Sequence, residues 1–314
     1  MLSTTPPTTT QDLTLTQSIV TKEQPVLSFD ATITQENEEV PEGPEIRRIA
    51  DELEQLIAIL WIVDLKPIGK SIDKPIVGLT DALRLLPRQV NSVNVKGKFM
   101  WWDLSKNDSA LFFMIGHGMT GRWTTLQTQH SLLRVSVANS AEKFKHLDLF
   151  FDDRRKFGSL KFVTDAKTLQ LKLKDLGPDL LANYPPDAST ITEFVRRIRL
   201  KKNATLAEAL LDQRTAAGIG NYVKCEALYL SALSPHRKVT DVSDYDLGLL
   251  CTSAAWVMDT SYKLGGATLS VDDSDTGMKR FIVYGQKFDP TGNEIVRETT
   301  RDNRTTYWCP QIQS

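Results

Sequence analysis

Cysteine is scarce in this chain of 314 residues: Cys225, Cys251 and Cys309 are the three present, and they lie far apart. Neither a paired disulfide framework nor a Cys-x-x-Cys metal pair can be assembled from them, so ordinary reduced thiols are expected. No apolar run reaches the roughly 18 residues that would suggest a bilayer-crossing helix, which removes a membrane partner from consideration. The opening residues lack the basic region, apolar stretch and small-residue cleavage site of a secretory leader, so an intracellular protein is expected. Internal repeats are absent too. What is present, with 41% hydrophobic residues, suffices for two ordinary domains with separate cores.

An excess of charge of one sign is also missing, since the formal net charge is −1. The balance is uneven along the chain, however. Residues 1–39 hold one base, Lys22, against the six acids Asp12, Glu23, Asp30, Glu36, Glu38 and Glu39, a net of −5 that leaves +4 for the remainder. Five bases of that remainder, Arg196, Arg197, Arg199, Lys201 and Lys202, fall close together. Such a cluster is either a phosphate-binding patch or a solvated helix face, and charge alone leaves both readings open.

The first 39 residues are rich in Thr, Gln and Ser without sustained periodicity, the composition of a disordered extension. Order is expected from Pro41. Apolar residues at Ile46, Ile49, Leu53, Ile57 and Leu60 follow helical spacing, and Pro44 with Glu45 suits the first turn of that helix. From Val90 to Val163, short runs rich in Val, Phe, Trp and Leu alternate with Gly, Asn, Asp and Ser. That texture predicts antiparallel strands packed as a sandwich. After Leu176-Gly177-Pro178 the pattern becomes helical, around 190–200, 205–213, 218–232 and 243–262. Phe281 to Tyr284 and Thr305 to Trp308 read as the two strands of a closing hairpin.

Several short segments combine proline, carboxylates, basic residues and glycines in motif-like arrangements. They are Val40-Pro41-Glu42-Gly43-Pro44-Glu45, Lys96-Gly97-Lys98-Phe99, Gly118-Met119-Thr120-Gly121 and Asp153-Arg154-Arg155-Lys156-Phe157-Gly158. Leu211-Asp212-Gln213, Ala217-Gly218-Ile219-Gly220-Asn221-Tyr222 and Glu226-Ala227-Leu228 follow. Each is weak alone. In this order, from Val40 to the end of the chain, they make it resemble the formamidopyrimidine-DNA glycosylase and endonuclease VIII family.

The resemblance implies an α+β fold: an N-terminal two-layer β-sandwich with a helix over 40–164, a helix-two-turns-helix domain over 165–280 and a zinc-free β-hairpin finger over 281–314. It also implies a monomer that acts on damaged DNA without a cofactor, removing oxidised bases and cutting the strand by β and δ elimination. Its compartment would be the cytoplasm and nucleoid of a bacterium, or the nucleus or an organelle of a eukaryote. By the same resemblance, the amine of Pro41 attacks the sugar C1′ and forms a Schiff base, and Glu42 moves the proton to the ring oxygen. Glu45 supports this pair, and Lys98 holds a phosphate beside the lesion. Met119, Arg155 and Phe157 fill the space left by the everted nucleotide, and Asn221 and Arg304 contact phosphates.

Three departures from the family pattern carry expectations of their own. Thr291 and Ile312 stand where two of four zinc-binding cysteines would be, leaving Cys309 alone, so a finger without zinc is expected. Ser270 to Lys279 is short for a base-capping loop, which favours oxidised pyrimidines, formamidopyrimidines and hydantoin-type lesions as substrates. Finally, 40 residues precede Pro41, and an internal proline nitrogen is a tertiary amide. Val40 offers an escape, because a GTG codon is read as methionine when it initiates, and removal of that methionine would free Pro41. Retention of the extension would instead leave a catalytically inactive protein that binds damaged DNA.

Overall fold

The computed structural model describes residues 41–68, 75–140, 146–271 and 279–314. The acidic extension, Val40, and positions 272–278 of the short connection lie outside these residues. Helix α1, Gly43–Ile57, has the expected stripe: Ile46, Ile49, Leu53 and Ile57 are all buried. Pro44 sits in its first turn, and the Glu42 amide donates to Glu45 Oε2 at 2.8 Å. Leu60, the fifth member of the expected stripe, lies beyond the helix. The helix stops at Ile57, Ile59 takes a positive φ of 67°, and Leu60 reaches the same core from the following turn.

The chain then forms β1 (Trp61–Pro67), α2 (Leu79–Leu85), β2 (Arg88–Gln89), β3 (Ser92–Lys96), β4 (Phe99–Asp103), β5 (Phe112–Gly116) and β6 (Gly121–Thr124). It continues through β7 (Ser131–Ala138), β8 (Leu147–Asp153) and β9 (Ser159–Val163). Two antiparallel sheets result, ordered β2-β1-β7-β8-β6 and β3-β4-β5-β9. Strand β1 lies ahead of Val90, where the sequence texture placed the first strand. Between the sheets, Trp102 and Trp123 sit 4.9 Å apart by ring centroid, and Phe113 stacks on Phe162 at 4.3 Å. Such contacts add to the area these rings bury. Helix α1 covers one edge of this core.

In the second half, α3 (Ala166–Asp175) packs Leu169 against Met114 and Val163 of the sandwich, while α4 (Ala188–Arg199), α5 (Leu206–Leu211), α6 (Asn221–Leu230) and α7 (Asp244–Lys263) surround a separate core. Four of these helices begin on a side-chain cap from Asp165, Asp187, Thr205 or Ser243. Helix α6 begins on Gly220 and has no such cap of its own. That vacancy is filled from the other half of the chain. No helix among the described residues is long and apolar enough to cross a membrane.

Two short strands, β10 (Ser270–Val271) and β11 (Lys279–Arg280), precede the terminal hairpin of β12 (Val296–Thr299) and β13 (Thr305–Trp308). The expected pairing of Phe281–Tyr284 with Thr305–Trp308 is therefore corrected. The buried carboxylate of Glu226, on α6, accepts the amides of Ile282, Val283 and Tyr284 at 3.0, 2.9 and 2.7 Å. Those donors are consumed by a side chain, and β12 takes the place beside β13.

Leu53 lies at the centre of the α1 stripe with no exposed surface. Truncation to alanine leaves a cavity in a packed core and is expected to cost about 2–5 kcal/mol. Urea unfolding of Leu53→Ala should show a lower midpoint at an unchanged slope.

Candidate active site between the sandwich and helix α6

Three backbones meet where α1, the β3–β4 turn and the entry to α6 converge. The Gly43 amide donates to the Gly218 carbonyl at 2.9 Å. Gly97, with φ of +58°, approaches the same loop so closely that a Cβ on it would lie 2.3 Å from Gly218 N. Only glycine permits both that backbone angle and that distance. A Cβ on Gly220 would fall 2.1 Å from Glu42 Cδ. Gln213 shapes the loop from behind: its Oε1 accepts the Gly218 amide at 2.9 Å, and its Nε2 donates to the Ile219 carbonyl at 2.8 Å. Asp179 holds the other side by accepting the Gly97 amide at 2.7 Å.

Within this junction Glu42 supplies the cap that α6 lacks. Its carboxylate accepts the amides of Tyr222 at 2.9 Å and Val223 at 3.3 Å. A helix N-terminus leaves such amides without intrahelical partners and favours negative charge. Burial acts in the opposite sense and dominates, raising the Glu42 pKa to about 7. Lys98 and the two amides lower it, and Glu45 adds to the rise. A carboxyl group poised near neutrality can both hold and release a proton.

Glu45 is fixed from three sides, by the Glu42 amide, the Tyr222 hydroxyl at 3.0 Å and the Ala267 amide at 2.6 Å. Tyr222 Oη also lies 3.0 Å from Ser261 Oγ. Burial beside two carboxylates pushes the Tyr222 pKa well above its ordinary value, which keeps the phenol a donor. Lys98 follows Gly97 directly. Burial lowers its pKa, Glu42 and Glu45 oppose that shift, and Arg304 reinforces it. Pro41, itself buried, immediately precedes Glu42.

Met119, Arg155 and Phe157 form a second group. Met119 is half-buried in the β5–β6 loop, whereas Arg155 and Phe157 project from the β8–β9 loop, Phe157 with 60% of its surface exposed. The Arg155 guanidinium lies 4.9 Å from the Phe157 ring centroid. The two loops touch through backbone, since a Cβ on Gly118 would sit 2.7 Å from Gly158 N. Buried Asp153 ties them together by accepting from Thr120 Oγ1, from the Arg155 amide and from the Gly158 amide.

Asn221 opens α6, with its Nδ2 donating to the Thr305 carbonyl at 2.8 Å and its buried Oδ1 without a hydrogen-bond partner. Arg304 is exposed in the β12–β13 turn, and its amide donates to Asp302 Oδ1 at 3.0 Å. In the finger, the Thr291 amide and hydroxyl each donate to Asp289 Oδ1 at 2.9 Å. The other Asp289 oxygen takes the Tyr229 hydroxyl and Asn293 Nδ2, and lies 3.9 Å from Cys309 Sγ. One thiol, with Thr291 and Ile312 at the other places, does not fit a four-thiolate zinc site. Among the described residues no cluster of His, Cys, Asp and Glu is arranged for a metal.

Four of the five bases in the cluster at the end of α4 and just beyond it are engaged within the protein. Arg196 and Arg197 share Glu193, and Arg197 also donates to the carbonyls of Lys174, Asp175 and Arg214. Arg199 binds Asp244 and the carbonyls of Val239 and Val242, and Lys201 pairs with Asp212. These side chains stitch helices and loops together. Sequence reasoning assigned no role to Asp153, Asp179, Ser261 or the Ala267 amide. Asp153 heads a quoted motif, so a signal was present there. Asp179, Ser261 and Ala267 are ordinary residues in segments whose meeting only the fold reveals.

Because the folded-state pKa of Glu42 is raised above its ordinary 4.5, its contribution to stability is fully present below about 4.5 and is lost as pH rises through about 7. Glu42→Gln removes that titration. Thermal unfolding between pH 5 and 8 should show the variant gaining on the native protein as pH rises. A difference in Tm that stays flat across this range contradicts the raised pKa.

Consecutive stretches of the chain match three models of one family. They are the formamidopyrimidine-DNA glycosylase N-terminal domain at residues 40–160, its H2TH domain at 176–273 and its C-terminal domain at 272–314. The formamidopyrimidine-DNA glycosylase of Nitrobacter winogradskyi is 27% identical over 309 residues, covering 88% of this chain and all of that relative. The Dinoroseobacter shibae enzyme of the same name is 28% identical over 293 residues, covering 87% of this chain and all of its own. The crystal structure of MutM (Fpg) from Thermus thermophilus superposes with a TM-score of 0.70 at 26% identity, covering 87% of this chain and 98% of its own. A Lactococcus lactis formamido-pyrimidine DNA glycosylase, bound non-covalently to DNA containing an AP site, shares the fold with a TM-score of 0.70 at 22% identity, covering 87% and 99%. Three matched domains in the family's order, on a sandwich and a helical half joined as described, place the chain in the formamidopyrimidine-DNA glycosylase and endonuclease VIII family.

Proposed function

We propose that this protein is a base excision repair DNA glycosylase that also cuts the strand, using the amine of Pro41 as nucleophile. The observation that carries the reading is the buried Glu42 carboxyl group, held directly after Pro41 by the Tyr222 and Val223 amides at 2.9 and 3.3 Å, where burial raises its affinity for a proton. The relatives named as formamidopyrimidine-DNA glycosylases support the glycosylase part of this reading. Lactococcus lactis structures with oxidized-pyrimidine DNA and Fapy-dG DNA are compatible with the lesion classes proposed for this chain.

The Pro41 nitrogen lone pair attacks C1′ of the damaged nucleotide, the N-glycosidic bond breaks with its electrons going to the base, and the proton on the alkylated Pro41 nitrogen passes to the departing base. Glu42 then protonates the sugar ring oxygen while the ring opens to an iminium, work suited to a carboxyl group part-protonated at neutral pH. Loss of a 2′ proton expels the 3′ phosphate, and a second elimination expels the 5′ phosphate. Glu45 orients this pair through its bond to the Glu42 amide. Lys98, Asn221 and Arg304 hold phosphates of the strand, and Met119, Arg155 and Phe157 enter the vacated stack. Oxidised pyrimidines, formamidopyrimidines and hydantoin-type bases are the proposed substrates, and the protein works as a monomer without a cofactor.

This chemistry requires Pro41 to be the first residue, because an acylated proline nitrogen has no free lone pair. We infer that the active form begins there, through initiation at Val40 and removal of the initiator methionine. The 40 preceding residues favour the second reading, a damaged-DNA-binding protein without catalysis, if they stay attached.

Borohydride reduction on duplex DNA containing an oxidised pyrimidine separates these readings. The form beginning at Pro41 should be trapped covalently, whereas Pro41→Gly and the chain retaining residues 1–40 should not. Equal trapping of the Pro41→Gly variant would remove proline from the mechanism. Glu42→Gln should slow ring opening to the trappable iminium by about 100-fold or more in single-turnover assays.

A further inference from the structure

Helix α6 does more than receive the Glu42 carboxylate. Asn221, Lys224 and Cys225 stand at i, i+3 and i+4, and so share one helical face. Each binds a successive residue of β13: Asn221 the Thr305 carbonyl, Lys224 the Thr306 hydroxyl at 2.8 Å and Cys225 Sγ the Tyr307 amide at 3.4 Å. Lys224 stands out among them. Its side chain has no exposed surface, and its ammonium lies 2.6 Å from Asp302 Oδ2, on a side chain only 4% exposed.

A fully buried lysine–aspartate pair is weak evidence for stability, because desolvating both charges offsets most of their attraction. An apolar side chain would fill the same space with less penalty. What an ion pair adds is a unique geometry. Asp302 uses its second oxygen to accept the Thr300 hydroxyl at 2.6 Å and the Arg304 amide at 3.0 Å. The Thr300 amide in turn donates to the Arg304 carbonyl at 3.1 Å, and the Thr300 and Thr306 hydroxyls meet at 2.6 Å. Turn 300–304 is therefore closed around one carboxylate, and that carboxylate is held from the helix by Lys224. Arg304 leaves the turn towards solvent and is electrostatically coupled to Lys98.

We propose that Lys224 is a positioning residue: by fixing Asp302 it sets the point from which Arg304 reaches a DNA phosphate beside Lys98, in a finger whose residues do not fit a zinc site. The inference rests on the functional reading above. It goes further by making α6 the common ruler for the proton donor and the phosphate clamp.

Binding to a duplex containing a tetrahydrofuran abasic analogue is measured for the chain beginning at Pro41, its Lys224→Met, Lys224→Arg and Arg304→Ala variants, and the Lys224→Met/Arg304→Ala double variant. Lys224→Met and Arg304→Ala should each weaken binding about tenfold and each lower the slope of log K against log salt by about one. The double variant should bind no more than about twofold more weakly than Arg304→Ala, and Lys224→Arg should recover most of the loss. Hydrogen exchange at amides 300–308 should rise about tenfold or more in Lys224→Met while α1 is unchanged. Should Lys224→Met fail to fold, Lys224→Met with Asp302→Leu replaces the pair by apolar groups and enters the same comparison. Native affinity in the lysine variant, or losses that multiply in the double variant, would overturn the proposal. Failure of the functional reading looks different: the native chain itself does not bind the duplex, while exchange still reports whether Lys224 holds the turn.

Discussion

One carboxylate holds the two halves of this protein in chemical register. Glu42 stands at the start of the first helix of the sandwich half, yet the helix whose amides it accepts lies 180 residues away. The bond works in both directions. Helix α6 obtains a cap that its own sequence does not provide, and Glu42 obtains a position from which it cannot swing. Because the carboxylate is buried, its charge is only partly compensated by those amides and by Lys98, and its affinity for protons rises accordingly. The tie that joins the halves is thus also a carboxyl group with a raised affinity for protons. Loosening the junction would move that group, and titrating it would weaken the junction.

Much of this arrangement was legible in the sequence, because its parts are local. The stripe of α1 is set by the spacing of Ile46, Ile49, Leu53 and Ile57, and the antiparallel sandwich by short β-branched and aromatic runs between turn residues. The segments around Pro41, Gly97 and Gly218 were recognisable as motifs. What the sequence could not display was their contact, since a turn glycine looks the same whether it serves a bend or the close approach of a second backbone. The structure separates the cases: Gly97 does both, whereas a Cβ on Gly285 would meet nothing within 4 Å.

One misreading and one open question have a similar physical origin. Phe281 to Tyr284 has the composition of a strand, but its amides are taken by Glu226, a side chain on another element. The basic residues of α4, for which charge left two readings open, pair with Glu193, Asp244 and backbone carbonyls. In both cases a specific polar bond decides what the local pattern alone does not. Such bonds involve residues without periodicity, and no spacing announces them. Strand β1 was missed for the opposite reason, since it follows α1 after a three-residue turn and its boundary carries little punctuation of its own.

The crowding of Gly43, Gly97 and Gly218 also limits how this architecture can be diversified. Where backbones abut with no room for a side chain, the spacing of the groups they bear cannot be adjusted by exchanging residues there. Such an exchange would push apart elements that the rest of the fold holds together. Gly118 and Gly158 impose the same restriction on the bases of the loops bearing Met119, Arg155 and Phe157, but the tips remain open to solvent. Residue exchange is therefore tolerated at the loop tips and excluded at the junction, so this fold can vary one residue at a time only where its backbones stand apart.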